Sequence, residues 1–457
     1  MKGGRAELAA WAALKRELAA WALLGLTLGM VEGATAAVLV KQRFQDSASP
    51  WVVNLAVALV SGAPALSNVV SFVWANLAHG RARVRIVVAL QVAFALAVGL
   101  VGLAPAATGG LLVTLASILA ARMLWSGILT VRSSIWIANY PRQLLARFTG
   151  KIVVASSLTV GLAAAATAWA LGGQRVDPRW LYAGAALAGL AGAWLFRGTR
   201  VRREHRLLGD EHAAVGRSDA FSLRTLLQIL REDPDYREFM FWMGLYGGGN
   251  LMVTSQMVVV LTERLAVPPA RQIAMLAVLP LVALPLFVPM WARMFDGSHV
   301  VAYRARQGKV QVLATAILCA GAWLELESLL WLGALFSGIA LAGANLGWSL
   351  GHNDFAGPGR AQHYMGVHVT LTGLRGMLAP PFGIVAYQGL EALGRGHGRW
   401  SLLLPLAATA AGAAGFVAMH RRQRHGPGAT RQATRVGERA RIGPKDSDRN
   451  SKQNEQV

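Results

Sequence analysis

The chain has 457 residues, of which 54% are hydrophobic and 15% are charged, and its formal net charge is +22. Soluble domains carry about 25% charged residues, so this composition excludes an ordinary soluble enzyme, and the high apolar content excludes a disordered chain. A polytopic membrane protein fits both numbers.

Twelve apolar stretches follow one another along the chain. A helix needs about 20 largely apolar residues to cross the hydrocarbon core of a bilayer, and charges, glycines and prolines mark where such stretches end. These cuts predict transmembrane helices at 18–40, 51–77, 86–104, 111–131, 152–172, 180–196, 239–262, 272–292, 310–325, 328–350, 365–388 and 400–420. The predicted fold class is therefore an all-α membrane protein with twelve transmembrane helices.

Lysine and arginine are distributed unevenly between the gaps. With the N-terminus in the cytoplasm, the cytoplasmic gaps and ends carry 35 of the 45 Lys and Arg residues, and the outer gaps carry eight. Cytoplasmic loops are enriched in these residues, so we expect a multi-pass protein of the inner membrane with both termini in the cytoplasm. The same distribution accounts for the net charge without a nucleic-acid partner, and membrane lipid is the partner expected for it.

The predicted helices divide six and six around the longest internal polar segment. We predict an N-terminal six-helix bundle at 1–196, a cytoplasmic linker at 197–238, a C-terminal six-helix bundle at 239–420 and a disordered basic tail at 421–457. Apolar residues recur at helical spacing in 221–231, which predicts an amphipathic helix on the inner membrane surface.

Two predicted cytoplasmic gaps carry related motifs. The gap at 75–85 reads Ala-Asn-Leu-Ala-His-Gly-Arg-Ala-Arg-Val-Arg, and the gap at 292–299 reads Ala-Arg-Met-Phe-Asp-Gly-Ser-His. With six plus six helices and a basic linker, these motifs resemble the major facilitator superfamily, which has the form G-x-L-a-D-r-x-G-r-k at the first position and often an echo at the second. The resemblance covers about residues 15–420 and implies a secondary transporter that works by alternating access.

The same motifs supply candidate residues for a cytoplasmic gate. Leu77 and Arg83 match the first copy, whereas His79 stands where the family has Asp. Asp296 stands at the Asp position of the second copy. The resemblance implies that an acid at a cytoplasmic helix end pairs with arginine and locks the inner gate, and His79 puts the first half of that lock in doubt.

Charged residues inside predicted helices are rare and costly, so each is a functional candidate. Glu32 lies in the first predicted helix, Arg122 in the fourth and Arg375 in the eleventh, each near mid-membrane. The resemblance implies that the first, fourth, seventh and tenth helices line the cavity. A carboxyl group there can bind and release a proton, and a nearby arginine favours its charged form. We predict a proton-coupling pair of Glu32 and Arg122 with Arg375 as a further polar partner; the alternatives are a static ion pair and a buried strut.

The seventh predicted helix contains three consecutive glycines, Gly247–Gly249, which favour either a break in mid-membrane or close packing against a neighbour. Beside them, Asn250, Thr254 and Gln256 offer hydrogen bonds to a cargo. Three polar residues of other predicted helices are lesser candidates for the cavity: Asn68, Asn345 and His368.

Prolines predict irregular helices in two places. Pro280, Pro285 and Pro289 predict kinks in the eighth helix, and Pro380–Pro381 predicts a break in the eleventh.

Enzymatic signals are absent from the sequence. There is no Walker A loop for ATP-driven transport, no HExxH and no CxxC, and the single cysteine, Cys319, lies in an apolar stretch. The sequence predicts a monomeric secondary active transporter without a cofactor, coupled to protons and moving a small polar or anionic organic solute. The alternatives are an exporter of hydrophobic cationic drugs and a non-transporting membrane scaffold or assembly factor with the same fold.

Overall fold

The computed structural model shows an all-α protein. It describes residues 2–140, 142–173, 175–202, 204–205, 208–209, 223–357 and 360–425. The predicted tail beyond residue 425 and the first two residues of the predicted amphipathic helix lie outside the described residues.

Twelve helical spans follow in the predicted order. They are Lys2–Gly29 with Gly33–Phe44 (span 1), Pro50–Leu66 with Ser67–Val70 and Ser71–Ala78 (span 2), Arg83–Leu103 (span 3), Thr108–Asn139 (span 4), Arg142–Leu171 (span 5), Pro178–Arg197 (span 6), Pro234–Glu263 (span 7), Pro269–Ile273 with Ala274–Val278 and Leu279–Asp296 (span 8), Val300–Leu324 (span 9), Glu327–Leu350 (span 10), Ala361–Leu393 (span 11) and His397–Leu402 with Leu403–His425 (span 12). Nine of them, all but spans 6, 7 and 9, are long and apolar enough to cross a membrane.

The predicted break in span 7 is wrong, because the helix runs without interruption through its three glycines. A Cβ atom on Gly249 would lie 2.6 Å from the carbonyl oxygen of Pro405 and would also collide with Thr409. The glycine therefore allows span 12 to pack directly on the span 7 backbone, and this contact supports the helix where its own propensity is low.

The predicted break at Pro380–Pro381 is also wrong, since both prolines lie within the continuous helix of span 11. Proline fits helical φ, and neighbouring helices and local adjustments compensate for its missing N–H group in membrane helices. The pronounced interruption falls in span 1, where residues 30–32 form a turn between two helical segments. In span 8, a π-helical turn at Ala274–Val278 directly precedes the proline-containing segment.

The two halves of the chain repeat one packing pattern. In the first half, span 1 packs on spans 5 and 6, and span 3 packs on spans 4 and 6. In the second half, span 7 packs on spans 11 and 12, and span 9 packs on spans 10 and 12. The same pairs thus recur six spans later, as expected for two bundles of six helices with duplicated architecture.

The bundles contact each other asymmetrically. We call the end that carries Arg197 and Leu223 the linker end, and the end that carries Phe44 and Glu263 the opposite end. Spans 2 and 11 contact each other from the opposite end, where Gln388 donates to the carbonyl oxygen of Pro50 at 3.3 Å, down to the Ser67–Val70 turn.

Beyond that turn the contact between the bundles changes. The Ser71–Ala78 helix packs on span 4 of its own bundle. Its side chains Phe72 and Val73 are about half exposed. Spans 2 and 11 therefore meet from the opposite end to the Ser67–Val70 turn and separate beyond it towards the linker end.

The linker helix is Leu223–Glu232. It packs on spans 7 and 11, where Leu226 and Ile229 are buried with Tyr236 and Phe239. Part of its apolar face is thus covered by the C-terminal bundle.

Candidate functional site

An ion pair joins spans 1 and 4 inside the N-terminal bundle. Glu32 closes the turn of span 1 and is the N-cap residue of Gly33–Phe44, with extended backbone angles. At this position the Glu32 side chain lies outside the hydrogen-bonded turns of the helix and points towards span 4. Nη1 of Arg122 lies 2.7 Å from Oε2 of Glu32.

The two partners differ in exposure. The Arg122 side chain is 8% exposed, whereas the Glu32 side chain is 33% exposed. The Glu32 carboxylate is thus paired on one side and accessible on the other. The structure thus brings the two residues of the predicted proton-coupling pair together.

Arg375 lies between spans 11 and 7. It donates one hydrogen bond to the carbonyl oxygen of Met243 and another to Oγ1 of Thr372, the latter at 2.5 Å. Its partners are neutral, so it is not part of the Glu32–Arg122 pair in this conformation.

Two of the three cargo candidates on span 7 line one cavity. Asn250 and Thr254, together with Gln311 and Ser337, line a space of about 180 Å³ between spans 7, 8, 9 and 10. Nε2 of Gln311 donates to Oδ1 of Asn250 at 2.9 Å. The polar groups can bind hydroxyl or amide groups, and apolar side chains form the rest of the wall.

Gln256 points away from that cavity. It is fully buried, and its Nε2 donates to the carbonyl oxygen of Gly383 at 3.0 Å and to Oγ of Ser401 at 2.8 Å. These bonds connect span 7 to spans 11 and 12. The structure therefore gives Gln256 a structural role and separates it from Asn250 and Thr254.

The lesser candidates lie apart from one another. Asn68 is half-buried in the Ser67–Val70 turn of span 2, and Asn345 is exposed on span 10. His368 on span 11 is 1% exposed and its ring lies 5.6 Å from that of Trp348, edge to face.

Sequence reasoning missed a polar cluster that joins the bundles at the opposite end. Nζ of Lys41 lies 2.5 Å from Oε1 of Glu263 and 2.7 Å from Oδ1 of Asn54. Tyr387 donates to Oε2 of Glu263 at 3.0 Å. Spans 1 and 2 supply two of these residues and spans 7 and 11 the other two, so the cluster holds the opposite end closed.

A second missed cluster lies within the N-terminal bundle. Trp136 donates to Oε2 of Glu17 at 2.7 Å, and the Arg132 guanidinium lies 3.9 Å from the ring centroid of Trp136 and 4.2 Å from that of Trp21. Glu17 is fully buried. These groups fix the linker ends of spans 1 and 4 to each other.

The arrangement of helices is similar to that of solved transporters. The nucleoside transporter NupG matches with a TM-score of 0.66 and 13% identity over 89% of this chain and 99% of that chain. A D-xylose-proton symporter matches with a TM-score of 0.67 and 11% identity over 90% and 97%. A bacterial homolog to the human lysosomal transporter Spinster, in an inward-facing and occupied conformation, matches with a TM-score of 0.61 and 14% identity over 90% and 96%. No family model and no curated protein sequence matches the chain.

The chain has the major facilitator fold. The match extends over nine-tenths of the chain and includes both bundles, which confirms the fold class expected from the motifs and the six plus six spans. At these identities the likeness concerns the fold.

The major facilitator fold places the three predicted gate residues at the linker end. His79 is exposed directly after Ser71–Ala78, and Arg83 is buried at the start of span 3. Asp296 is exposed at the end of span 8. This is the end towards which spans 2 and 11 separate.

Proposed function

We propose that this protein is a proton-coupled secondary transporter that moves a small solute by alternating access. Glu32 carries the proton, and Arg122 stabilises the deprotonated state. The observation that carries the proposal is the Glu32–Arg122 ion pair, because it combines a titratable group in the membrane interior with the major facilitator fold.

The asymmetric contact between the bundles supports alternating access. The Lys41–Glu263 cluster joins the bundles at the opposite end, and the contact between spans 2 and 11 stops at the Ser67–Val70 turn. The charge distribution favours a cytoplasmic location of the linker end in the inner membrane. On that orientation a state held together at the opposite end would be inward-facing, and Glu32 would exchange its proton with the cytoplasm.

A proteoliposome assay tests this proposal. Purified protein is reconstituted with a pH-sensitive dye inside the vesicles, and pools of solutes are added to wild type, Glu32→Gln and Glu327→Gln. Glu327→Gln is the matched control because the Glu327 side chain is 40% exposed, forms its ion pair with the exposed Arg271 and lies away from the candidate site. We expect solute-dependent proton flux in wild type and in the control, and a loss of at least tenfold in Glu32→Gln.

Two results would contradict the proposal. Undiminished flux in Glu32→Gln would show that another group carries the proton. No flux with any pool, for a protein that is folded in the vesicles, would favour the non-transporting scaffold instead.

A further inference from the structure

The interior charges of the two bundles are balanced differently. In the N-terminal bundle, Arg122 pairs with Glu32, and Arg132 lies in the cluster that contains Glu17. In the C-terminal bundle, Arg304 and Arg375 make hydrogen bonds with neutral groups only, among the described residues. The C-terminal bundle thus contains two interior positive charges without an interior carboxylate to compensate them.

The two arginines converge on the same turn of span 7. Arg375 bonds to the carbonyl oxygen of Met243, and the Arg304 guanidinium lies 6.0 Å from the ring centroid of Tyr246. Nε of each arginine is buried without a hydrogen-bond partner among the described residues. Gly247, one residue further on, leaves room for Arg375, because a Cβ atom there would collide with its guanidinium.

His368 adds two further unpartnered polar atoms. Residues 368, 372 and 375 follow at spacings of four and three, so His368 and Arg375 lie on one face of span 11 with Thr372 between them. Both ring nitrogens of His368 are buried and lack a hydrogen-bond partner among the described residues. Buried polar groups are normally hydrogen-bonded, so this set of donors indicates a missing acceptor.

One face of span 7 carries both the contact with Arg375 and part of the lining of the cavity between spans 7 and 10. Gly247, Asn250 and Thr254 follow on span 7 at spacings of three and four, so they share one face of that helix. Asn250 and Thr254 line the cavity, and Gly247 contacts Arg375. Arg375 does not itself line the cavity, but Gly247 and Asn250 are three residues apart, a rise of about 4.5 Å along the helix, so a molecule that lies along this face of span 7 would span both positions.

We propose that the cargo is a small organic anion, whose carboxylate or phosphate group docks on Arg375 and whose hydrogen-bonding body lies against Asn250 and Thr254. Arg304 adds positive potential and His368 adds a ring N–H donor behind the docking point. An interior arginine without a carboxylate is costly, and an arriving anion supplies the missing partner with a forked guanidinium contact. This inference rests on the proposed function, since it names the substrate class of that transporter.

Ligand-induced thermal stabilisation of purified protein tests the inference without any proton gradient. The probes are succinate, glucuronate and glucose 6-phosphate. Each is compared at equal ionic strength with an uncharged analogue, which is succinamide for succinate and glucose for the two sugar anions. A ligand that binds the folded state raises the unfolding temperature. We expect at least one anion to stabilise both wild type and Glu327→Gln, and its uncharged analogue to stabilise neither.

Two variants locate the anion. Arg375→Gln should weaken the binding of the stabilising anion at least tenfold. Arg375→Lys keeps the positive charge but lacks the two parallel N–H donors of the guanidinium group, so it should weaken binding less. The Lys variant keeps the test valid if Arg375→Gln does not fold. Three results would overturn the inference. They are equal stabilisation by an anion and its uncharged analogue, undiminished binding in Arg375→Gln, and no stabilisation by any of the three anions.

The outcome separates this inference from the proposed function. An anion that binds at Arg375 while wild type shows no solute-dependent proton flux would retain the site and refute the transporter. Proton flux driven by uncharged solutes, without anion binding, would retain the transporter and refute the anionic cargo.

Discussion

The Lys41 ammonium lies 2.5 Å from the Glu263 carboxylate, and this contact joins the N-terminal bundle to the C-terminal bundle. The two residues occupy corresponding places, each near the opposite end of the first span of its bundle. Lys41 is 4% exposed and Glu263 is 28% exposed. A contact of this kind exists only while the opposite end is closed, so it biases the equilibrium between the two states of an alternating-access protein.

Glu263→Gln should shift this equilibrium towards opening at the opposite end. The change leaves Lys41 buried without a countercharge at a cost of about 2 kcal/mol, less than for a fully buried pair because Glu263 is partly exposed. That energy corresponds to a population change of roughly 30-fold. Ser49 and Gly389 are exposed on opposite bundles. The distance between spin labels at these two positions can be measured by double electron–electron resonance. An unchanged distance distribution would show that the cluster does not hold the bundles together.

Gly62→Val should favour the same opening by a steric route. A Cβ atom on Gly62 would collide with the carbonyl oxygen of Gly376, a backbone atom of span 11 that cannot turn aside. We expect a longer distance between labels on Ser49 and Gly389. Gly184→Val is the control, since the space around Gly184 is open; an equal response in both variants would refute the steric argument.

Gln256→Met should destabilise the protein and preserve transport. Methionine is of similar size but leaves the carbonyl oxygen of Gly383 and the hydroxyl of Ser401 without their donor, which costs about 1–3 kcal/mol. Thermal unfolding in detergent should show a lower midpoint. Flux per folded molecule, for a solute found in the proteoliposome screen, should stay within twofold of wild type, and a selective loss of flux would return Gln256 to the cargo site.

The linker helix should loosen in acid. Hydrogen bonds from Gln228 and from Arg360 lower the pKa of Glu232, and the Arg360 contact connects the helix to the start of span 11. Because the pKa is lower in the folded state, this stabilisation is present above the ordinary glutamate range and is lost as the pH falls through it. The protection of 223–232 against hydrogen exchange, taken relative to the intrinsic exchange rate at each pH, should therefore fall at low pH, and Glu232→Gln should lose this pH dependence.

The sequence predicted the spans well because the length and the apolar composition of each stretch can be read directly from the residues. The chain alternates between apolar runs and charged gaps, and all twelve predicted helices coincide with helical spans. Helix ends were less accurate: span 4 continues to Asn139 and span 9 begins at Val300 instead of 310. Both extensions carry polar residues that tertiary contacts place in helices, such as the Trp136–Glu17 bond in span 4.

The candidate site was predictable where charge in the membrane interior marked it. Glu32, Arg122 and Arg375 were found in this way, but their partners depend on packing between helices distant in sequence. Lys41 and Glu263 were missed because each follows an apolar run and resembles an ordinary charge at a helix end. Their opposite signs at corresponding ends of spans 1 and 7 were the available signal.

The predicted breaks at the glycines and at the prolines are absent for one physical reason, and at the glycines the alternative of close packing is confirmed. Local propensity favours a break at Gly247–Gly249 and at Pro380–Pro381, and close packing between spans overrides it at both places. The same packing explains why Gln256, only six residues from Asn250, faces two other spans.

In the proposed mechanism, Glu32 couples the transported solute to protons. The most direct measurement compares two modes of transport in Glu32→Gln vesicles, with the solute found in the proton-flux screen. Exchange of labelled for unlabelled solute moves no net proton, whereas accumulation driven by an imposed pH gradient requires one. We expect the variant to retain exchange and to lose accumulation; accumulation equal to that of wild type would show that Glu32 does not couple the solute to protons.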